Sequence, residues 1–161
     1  MLDLDDLYSR YAADVRRFAV YLTGDVALAD DITSETFLRA WSSVGRIREA
    51  TVKAYLFTIV RNLYLLEIRR SSRHVELQDA LPSRANEPER HIDQQAAVAI
   101  VFRALRTLPE VDRAALLMRA QNDMSYEEIA QALQLSLSSV KVKIHRARLK
   151  LSALLPKEVL P

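Results

Sequence analysis

Near the start of the chain apolar residues recur at positions 4, 7, 11, 15, 18 and 22, the spacing of one helical face, and Gly24 stands where such a helix would stop. Asp25 is placed to cap a second helix reaching about Trp41, with Leu28, Ile32, Phe37 and Trp41 on its inner side. After a Ser-Ser-Val-Gly break at 42–45, Thr51 reads as the cap of a third helix. In it Val52, Leu56, Ile59, Leu63 and Leu66 alternate by four and three, a stripe expected to pack on other helices, and Arg69, Arg70 and Arg73 close it. Periodicity lapses over 73–91, where Pro82 and Pro88 fall among polar residues, so 74–91 reads as a linker. A second helical unit begins near Ile92. Its first helix is expected to reach about Thr107, and Pro109 opens the next, where a missing backbone N–H costs nothing. Ser125 with Glu128 forms a capping box for a short helix through Leu133, and Ser136 caps the last helix, with Val140, Ile144, Ala147 and Leu151 on its buried side. The expected architecture is all-α: two small helical domains, 1–73 and 92–161, joined by a flexible linker. Few contacts should cross that linker, leaving the domains mobile in the unbound protein.

Composition narrows the class. The 161 residues are half hydrophobic with only two glycines, which favours a folded helical protein over disorder. There is no cysteine, so disulfides and cysteine-based zinc sites are excluded, and a reducing cytoplasm is the natural compartment. The N-terminal MLDLDDLYSRY lacks the basic start and apolar run of a secretory signal, and no apolar stretch approaches the length of a membrane span; a cytoplasmic protein without membrane insertion is expected. Net charge is only +2, yet it is unevenly placed: −4 over 1–45, +5 over 46–75, −3 over 76–95, −1 over 96–140 and +5 over 141–161. Two separated basic segments, each preceded by acidic sequence, suggest two places where a polyanion is held.

The C-terminal segment MSYEEIAQALQLSLSSVKVKIHRARLKL supplies a mechanism for one of them. In a helix-turn-helix the helices cross steeply, so the first offers a small residue at the crossing and the second plugs apolar residues beneath it. Ala130 is that small residue, and Val140 follows ten residues later, the separation a short turn requires. The opposite side of the last helix then presents Ser138, Ser139, Lys141, Val142, Lys143, His145, Arg146 and Arg148. Hydroxyls at a helix start can donate to phosphates or base edges, while Lys and Arg heads reach the phosphates flanking a major groove. A single unit of this kind binds with mostly salt-sensitive, non-specific affinity, so the first unit should supply a further contact.

Three ordered segments carry a resemblance: ADDITSETFLRAW at 29–41, KAYLFTIVRNLYLLEIRR at 53–70, and LPEVDRAALLMR followed by MSYEEIAQALQLSLSSVKVKIHRAR over 108–148. Together they resemble the small bacterial RNA polymerase sigma factors of the extracytoplasmic-function (ECF) class, over nearly the whole chain. The resemblance implies a factor that directs core polymerase to specific promoters. Its N-terminal domain would dock on the polymerase clamp and melt the −10 element, its C-terminal domain would read the −35 element near the flap, and an anti-sigma protein would be a further partner. It also implies site residues. Polymerase contacts fall on Asp30, Asp31, Glu35, Leu38 and Trp41. The −10 DNA contacts fall on Arg46, Arg48, Lys53, Tyr55, Arg61, Asn62, Arg69 and Arg70, and the −35 contacts on Ser138, Ser139, Lys141, Lys143, Arg146 and Arg148. Holding unstacked bases needs cations along the backbone and planar groups to rest against, which this set contains. Departures from the family pattern are Ser34 where Gln is usual, Tyr55 for Trp, Leu66 for Asp, Gln134 for the turn Gly, and Lys143 for an Arg whose bidentate fork to guanine a lysine cannot make. Leu66 in that place looks more like packing than contact.

Other functions remain open on sequence alone. The three histidines at 74, 91 and 145 never form a ligand pair, and there is no Gly-rich phosphate loop or serine nucleophile motif, so no catalytic chemistry, metal or cofactor is expected. The acidic pairs Asp5/Asp6 and Asp30/Asp31 are the one feature a metal-dependent nuclease could use. A dimeric helix-turn-helix regulator acting without polymerase would also fit the C-terminal unit. So would a decoy that binds polymerase or an anti-sigma factor without initiating.

Overall fold

The Asp3 carboxylate accepts the Asp6 backbone N–H at 2.8 Å and starts α1 (Leu4–Thr23), which Gly24 ends at φ +70° with its own N–H donating to the Val20 carbonyl. The computed structural model describes the backbone of residues 3–78 and 92–156 and the side chains of 3–73 and 96–156. Within those residues α1 is followed by α2 (Val26–Trp41), two 3-10 turns (Val44–Arg46 and Glu49–Thr51) and α3 (Val52–Gln78). Then come α4 (Ile92–Arg106), α5 (Glu110–Asn122), α6 (Tyr126–Leu133) and α7 (Leu137–Leu154). The local start signals act as the sequence indicates. Asp25 caps α2 through the Leu28 N–H, Ser125 and Glu128 form a reciprocal capping box on α6, and Ser136 accepts the Ser139 N–H at the head of α7.

Thr51 does not cap α3. It closes the second 3-10 turn, where its hydroxyl donates to the Arg48 carbonyl at 3.4 Å. Nor does α3 end at Arg73: helical backbone continues to Gln78, five residues into the segment read as linker, of which 79–91 lies outside the described residues.

The first unit is built from α1 to α3. Leu7, Val15, Phe18 and Leu22 of α1 are fully buried, and Phe18 stacks on Phe57 of α3 with centroids 4.5 Å apart and planes 12° apart. Each such side chain contributes about 1.5–3 kcal/mol by leaving water. The buried arc of α3 is Val52, Ala54, Leu56, Phe57 and Val60, not the expected stripe: Ile59 and Leu63 are half-buried, and Leu66 is exposed. Leu66 therefore does not pack in the core. The helix enters between α1 and α2 and leaves them behind, so its early turns are buried over a wide arc, while among the described side chains none after Val60 is fully buried.

In the second unit Leu105, Leu108, Met118, Met124, Ile129, Val140 and Ile144 form the core beneath the helix-turn-helix of α6 and α7. The turn between them places Gln134 at φ +55°, ψ +49°, the left-handed conformation a glycine occupies without strain. Replacing Gln134 by Gly removes about 1 kcal/mol of that strain. The expected result is a melting temperature about 2–4 °C higher, measured by calorimetry on the purified chain.

The two units do not stand apart. Their cores merge into one cluster, α5 packs on α1 and α6 packs on α3, and Tyr21 of α1 stacks on Phe102 of α4 at 4.7 Å. The expectation of few contacts across the linker is thereby corrected. The surfaces that meet are partly apolar and carry matched polar groups, which no reading of either unit alone could reveal.

Candidate functional site

Three surfaces hold the residues singled out by sequence. The first lies between α1 and α2, an open groove of about 340 Å³ lined among others by Leu4, Tyr8, Ser34, Phe37, Leu38 and Trp41. Phe37 turns inward and meets Tyr8 edge-on at 5.0 Å, whereas Leu38 and Trp41 are 59% and 57% exposed. Trp41 thus stands at the groove lip and not on the inner side of α2. Two large apolar side chains left in water on a charged helix are a feature of partner surfaces. Of the acidic candidates earlier on α2, Asp30 pairs with Arg16 at 2.8 Å and Glu35 with Arg39 at 3.1 Å, both pairs largely exposed, and Asp31 is exposed. Such pairs exchange cheaply for those of a partner. Tyr8 belongs to this surface though no sequence motif marked it.

The second surface is α3 with the turns before it. Arg46 and Arg48 are exposed on the 3-10 segment. Tyr55, Asn62 and Arg69 are spaced by seven, so they share one face of the helix; Tyr55 is half-buried and the other two are exposed, as is Arg70. Lys53 and Arg61 point elsewhere. The Lys53 ammonium donates to the Asn122 carbonyl at 3.4 Å and lies 3.8 Å from Asp14. Arg61 makes a two-pronged pair with Glu110 at 2.7 and 2.9 Å, the side chains only 19% and 17% exposed. Thr58, between them, donates to the Ala132 carbonyl of α6. Two of the eight basic-surface candidates are therefore engaged by the second unit.

That seam has a second polar station. The last turn of α1 contains no basic residue of its own, yet its carbonyls are not left to water. Arg106 donates to the carbonyls of Tyr21 and Leu22 at 2.6 and 2.8 Å, and buried Arg113 donates to Leu22 at 2.6 Å and to the Tyr64 hydroxyl at 3.3 Å. Cations from α4 and α5 thus cap a helix of the other unit, where the macrodipole favours them. Burial and the neighbouring Arg113 push the Arg106 pKa down to about 10, still high enough to keep it charged at neutral pH. A β-carbon on Gly24 would come within 3.0 Å of the Arg106 guanidinium, so this glycine serves both the left-handed turn and the approach of that side chain.

The third surface is α7. Ser138, Lys141, Val142, His145 and Arg148 are exposed, while Val140, Ile144 and Ala147 are buried opposite. Ser139, Lys143 and Arg146 occupy one flank. Ser139 and Lys143 are half-buried, and Arg146 grips Asp112 of α5 through two bonds of 2.9 and 3.2 Å, with Lys143 4.0 Å from the same carboxylate. The hydrogen bond and charge of Asp112 raise the Arg146 pKa above the usual arginine range. Lys141 and Arg119 both lie over the Tyr126 ring, at 5.8 and 4.8 Å. Glu110, Asp112, Arg106 and Arg113 went unmarked in the sequence. The two carboxylates sit in the first turn after Pro109, a position the dipole alone explains, and their partners lie 49 and 34 residues away.

A groove-bearing helical unit tied to a helix-turn-helix unit is the architecture of a two-domain transcription factor, and the family matches say of which type. The family model for Sigma-70 region 2 matches residues 7–74 and that for Sigma-70 region 4 matches 99–151. The chain is 38% identical over 144 residues to the ECF RNA polymerase sigma factor EcfG of Rhodopseudomonas palustris (strain TIE-1), covering 88% of this chain and 78% of that one. Among solved structures it resembles the sigma factor RpoE from Bartonella quintana, solved with the anti-sigma factor NepR, at a TM-score of 0.77 and 27% identity over 91% of this chain and 92% of that one. It also resembles CnrH, solved with the cytosolic domain of CnrY, at a TM-score of 0.70 and 26% identity over 94% and 86% of the two chains. The chain belongs to the ECF RNA polymerase sigma factors: it directs core polymerase to promoters and initiates transcription. Matches to both units disfavour a dimeric regulator that works without polymerase. Among the described residues no helix is long and apolar enough to cross a membrane.

Proposed function

We propose that the groove between α1 and α2 is the polymerase-docking face, with Leu38 and Trp41 as anchors and Asp30, Asp31 and Glu35 as its acidic rim. In the same reading 1–73 melts and holds the −10 element and 92–161 reads the −35 element. The exposed face of α3, with Tyr55, Asn62, Arg69 and Arg70, takes single-stranded DNA, joined by Arg46 and Arg48 from the preceding turns. Ser138, Ser139, Lys141, Lys143, Arg146 and Arg148 of α7 meet the upstream duplex. The chain carries out no catalysis and needs no cofactor; it works in the cytoplasm by binding the open promoter more tightly than the closed one. The Bartonella quintana relative, solved with the anti-sigma factor NepR, supports an antagonist of the same kind here, and we place it on this groove. The observation that carries this reading is the pair of apolar anchors left in water beside acidic residues, in a chain whose other unit bears a basic recognition helix.

In the closed arrangement Lys53 and Arg61 cannot reach DNA, because Asn122 and Glu110 hold them. With Lys53 and Arg61 counted among the DNA contacts, closed is the unengaged form, and full promoter binding requires the seam to part.

The test is in vitro transcription with purified bacterial core polymerase, with Trp41→Ala as the discriminating variant. Truncating an anchor of this size costs about 2 kcal/mol or more, so core affinity is expected to fall about 30-fold or more while the melting temperature of the free chain stays near wild type. Unchanged core binding would refute the docking face.

A further inference from the structure

Asp112 has no place in the recognition surface, yet among the described residues of the helix-turn-helix unit it is the most buried acidic or basic side chain, 1% exposed in the first turn of α5. Its two carboxylate oxygens meet Nε and Nη2 of Arg146, and one of them lies 4.0 Å from Nζ of Lys143. Arg146 itself is 56% exposed, so it is held from behind and open in front. A guanidinium has five donors in a rigid fork. Spending the Nε edge on a fixed carboxylate leaves the Nη1 donors of a half-exposed side chain for another acceptor, on the flank of the helix proposed to enter the groove. An unsupported arginine on the same helix, such as exposed Arg148, keeps its rotamer freedom and its full charge, which suits a phosphate and discriminates nothing.

We propose that Asp112 is a positioning residue for promoter recognition: by pinning Arg146, and drawing Lys143 to the same flank, it converts two mobile cations into directional donors and withholds part of their charge from the DNA backbone. The inference rests on the reading of α7 as the helix that reads the upstream duplex. Its physical content is a trade. A buttressed arginine loses less freedom when it binds a base edge, so it gains selectivity, while its neutralised charge contributes less to the salt-sensitive part of affinity.

That trade gives a signature which a merely structural carboxylate does not have. In Asp112→Asn the amide oxygen can still accept a bond from Arg146, but the charge that fixes the guanidinium is gone. The experiment uses holoenzyme reconstituted from bacterial core polymerase and the full chain. It binds a duplex pool randomised upstream of a fixed pre-melted bubble, across a salt series. Asp112→Asn is expected to lower discrimination among upstream sequences about tenfold. It should also steepen the salt dependence by about one logarithmic unit, the effect of one more phosphate neutralised. Arg146→Lys, which keeps a cation on Asp112 and protects the fold, should show the same loss of discrimination. In an Arg146→Gln background the Asp112→Asn change should alter discrimination little, because the partner through which it acts is absent.

Binding weakened equally for all sequences, with no steeper salt dependence, would mean Asp112 only supports the fold and would overturn the proposal, as would wild-type behaviour of Asp112→Asn and Arg146→Lys together. Arg148→Ala separates the two layers. If it weakens binding and flattens the salt dependence while Asp112→Asn has no effect, the inference about Asp112 fails and the reading of α7 stands; if Arg148→Ala also changes nothing, the reading of α7 itself fails.

Discussion

Replacing Glu110 by lysine is expected to raise the affinity of the free chain for a duplex carrying a pre-melted bubble by about 10- to 30-fold. Glu110 holds Arg61 through two bonds in a site where both side chains are more than four-fifths covered, and the substitution puts a cation against that guanidinium. Breaking a pair buried to this degree costs about 2 kcal/mol, somewhat below the figure for a fully buried pair. If DNA binds only the open form, apparent affinity scales with the open fraction, and 2 kcal/mol multiplies a small fraction about 30-fold. The gain in positive charge alone would also favour DNA, so Glu127→Lys is the comparison: it changes the exposed first turn of α6 by the same charge and leaves the Arg61 pair intact. Small-angle scattering reads the same equilibrium. The wild-type radius of gyration should lie within about 3 Å of the ~15 Å of a compact chain of this length, and Glu110→Lys should exceed the wild-type value. Equal affinity and equal radius for the two variants would show that the seam does not govern access to α3.

Arg113→Ala is expected to be the most damaging single truncation at the seam. The side chain is 6% exposed, and its loss removes donors to the carbonyls of Leu22 and Leu108 and to the Tyr64 hydroxyl, leaving a void where the stem had packed. Hydrogen bonds from a charged donor to buried acceptors, together with a cavity, sum to about 3 kcal/mol. For a chain of this size that lowers the melting temperature by about 6–12 °C, measured by calorimetry. Arg113→Met keeps the stem volume and removes the repulsion with Arg106, so it should lose about half as much. A loss under about 1 kcal/mol for the alanine variant would mean Arg106 alone satisfies the end of α1.

What the sequence made legible is what acts at short range. Gly24, Asp25, Ser136 and the Ser125–Glu128 box do their work within about four residues, and each sits where pattern and chemistry put it. The buried side of α7 was legible for the same reason: one helix face meets one core. The stripe on α3 misled because that helix passes between two neighbours and then beyond them, so periodicity could not say which apolar positions find cover, and Leu66 found none. Trp41 misled by its chemistry, since an aromatic at a helix end reads as core when it in fact stands exposed. The candidate site residues were marked as a set, from ordered motifs, but not the ion pairs that engage some of them. Nothing near Arg61 in sequence points to Glu110, and nothing near Arg146 to Asp112; both pairs exist because the first turn of α5 turns one carboxylate to α3 and the other to α7.

The borrowed cap on α1 also orders events during synthesis. The carbonyls of Tyr21 and Leu22 leave the ribosome more than eighty residues before the arginines that bond them, so the nascent first unit matures with that helix end dissolved in water. Water can satisfy those oxygens until the arginines arrive, and parting the two units later returns each acceptor to the solvent it started in.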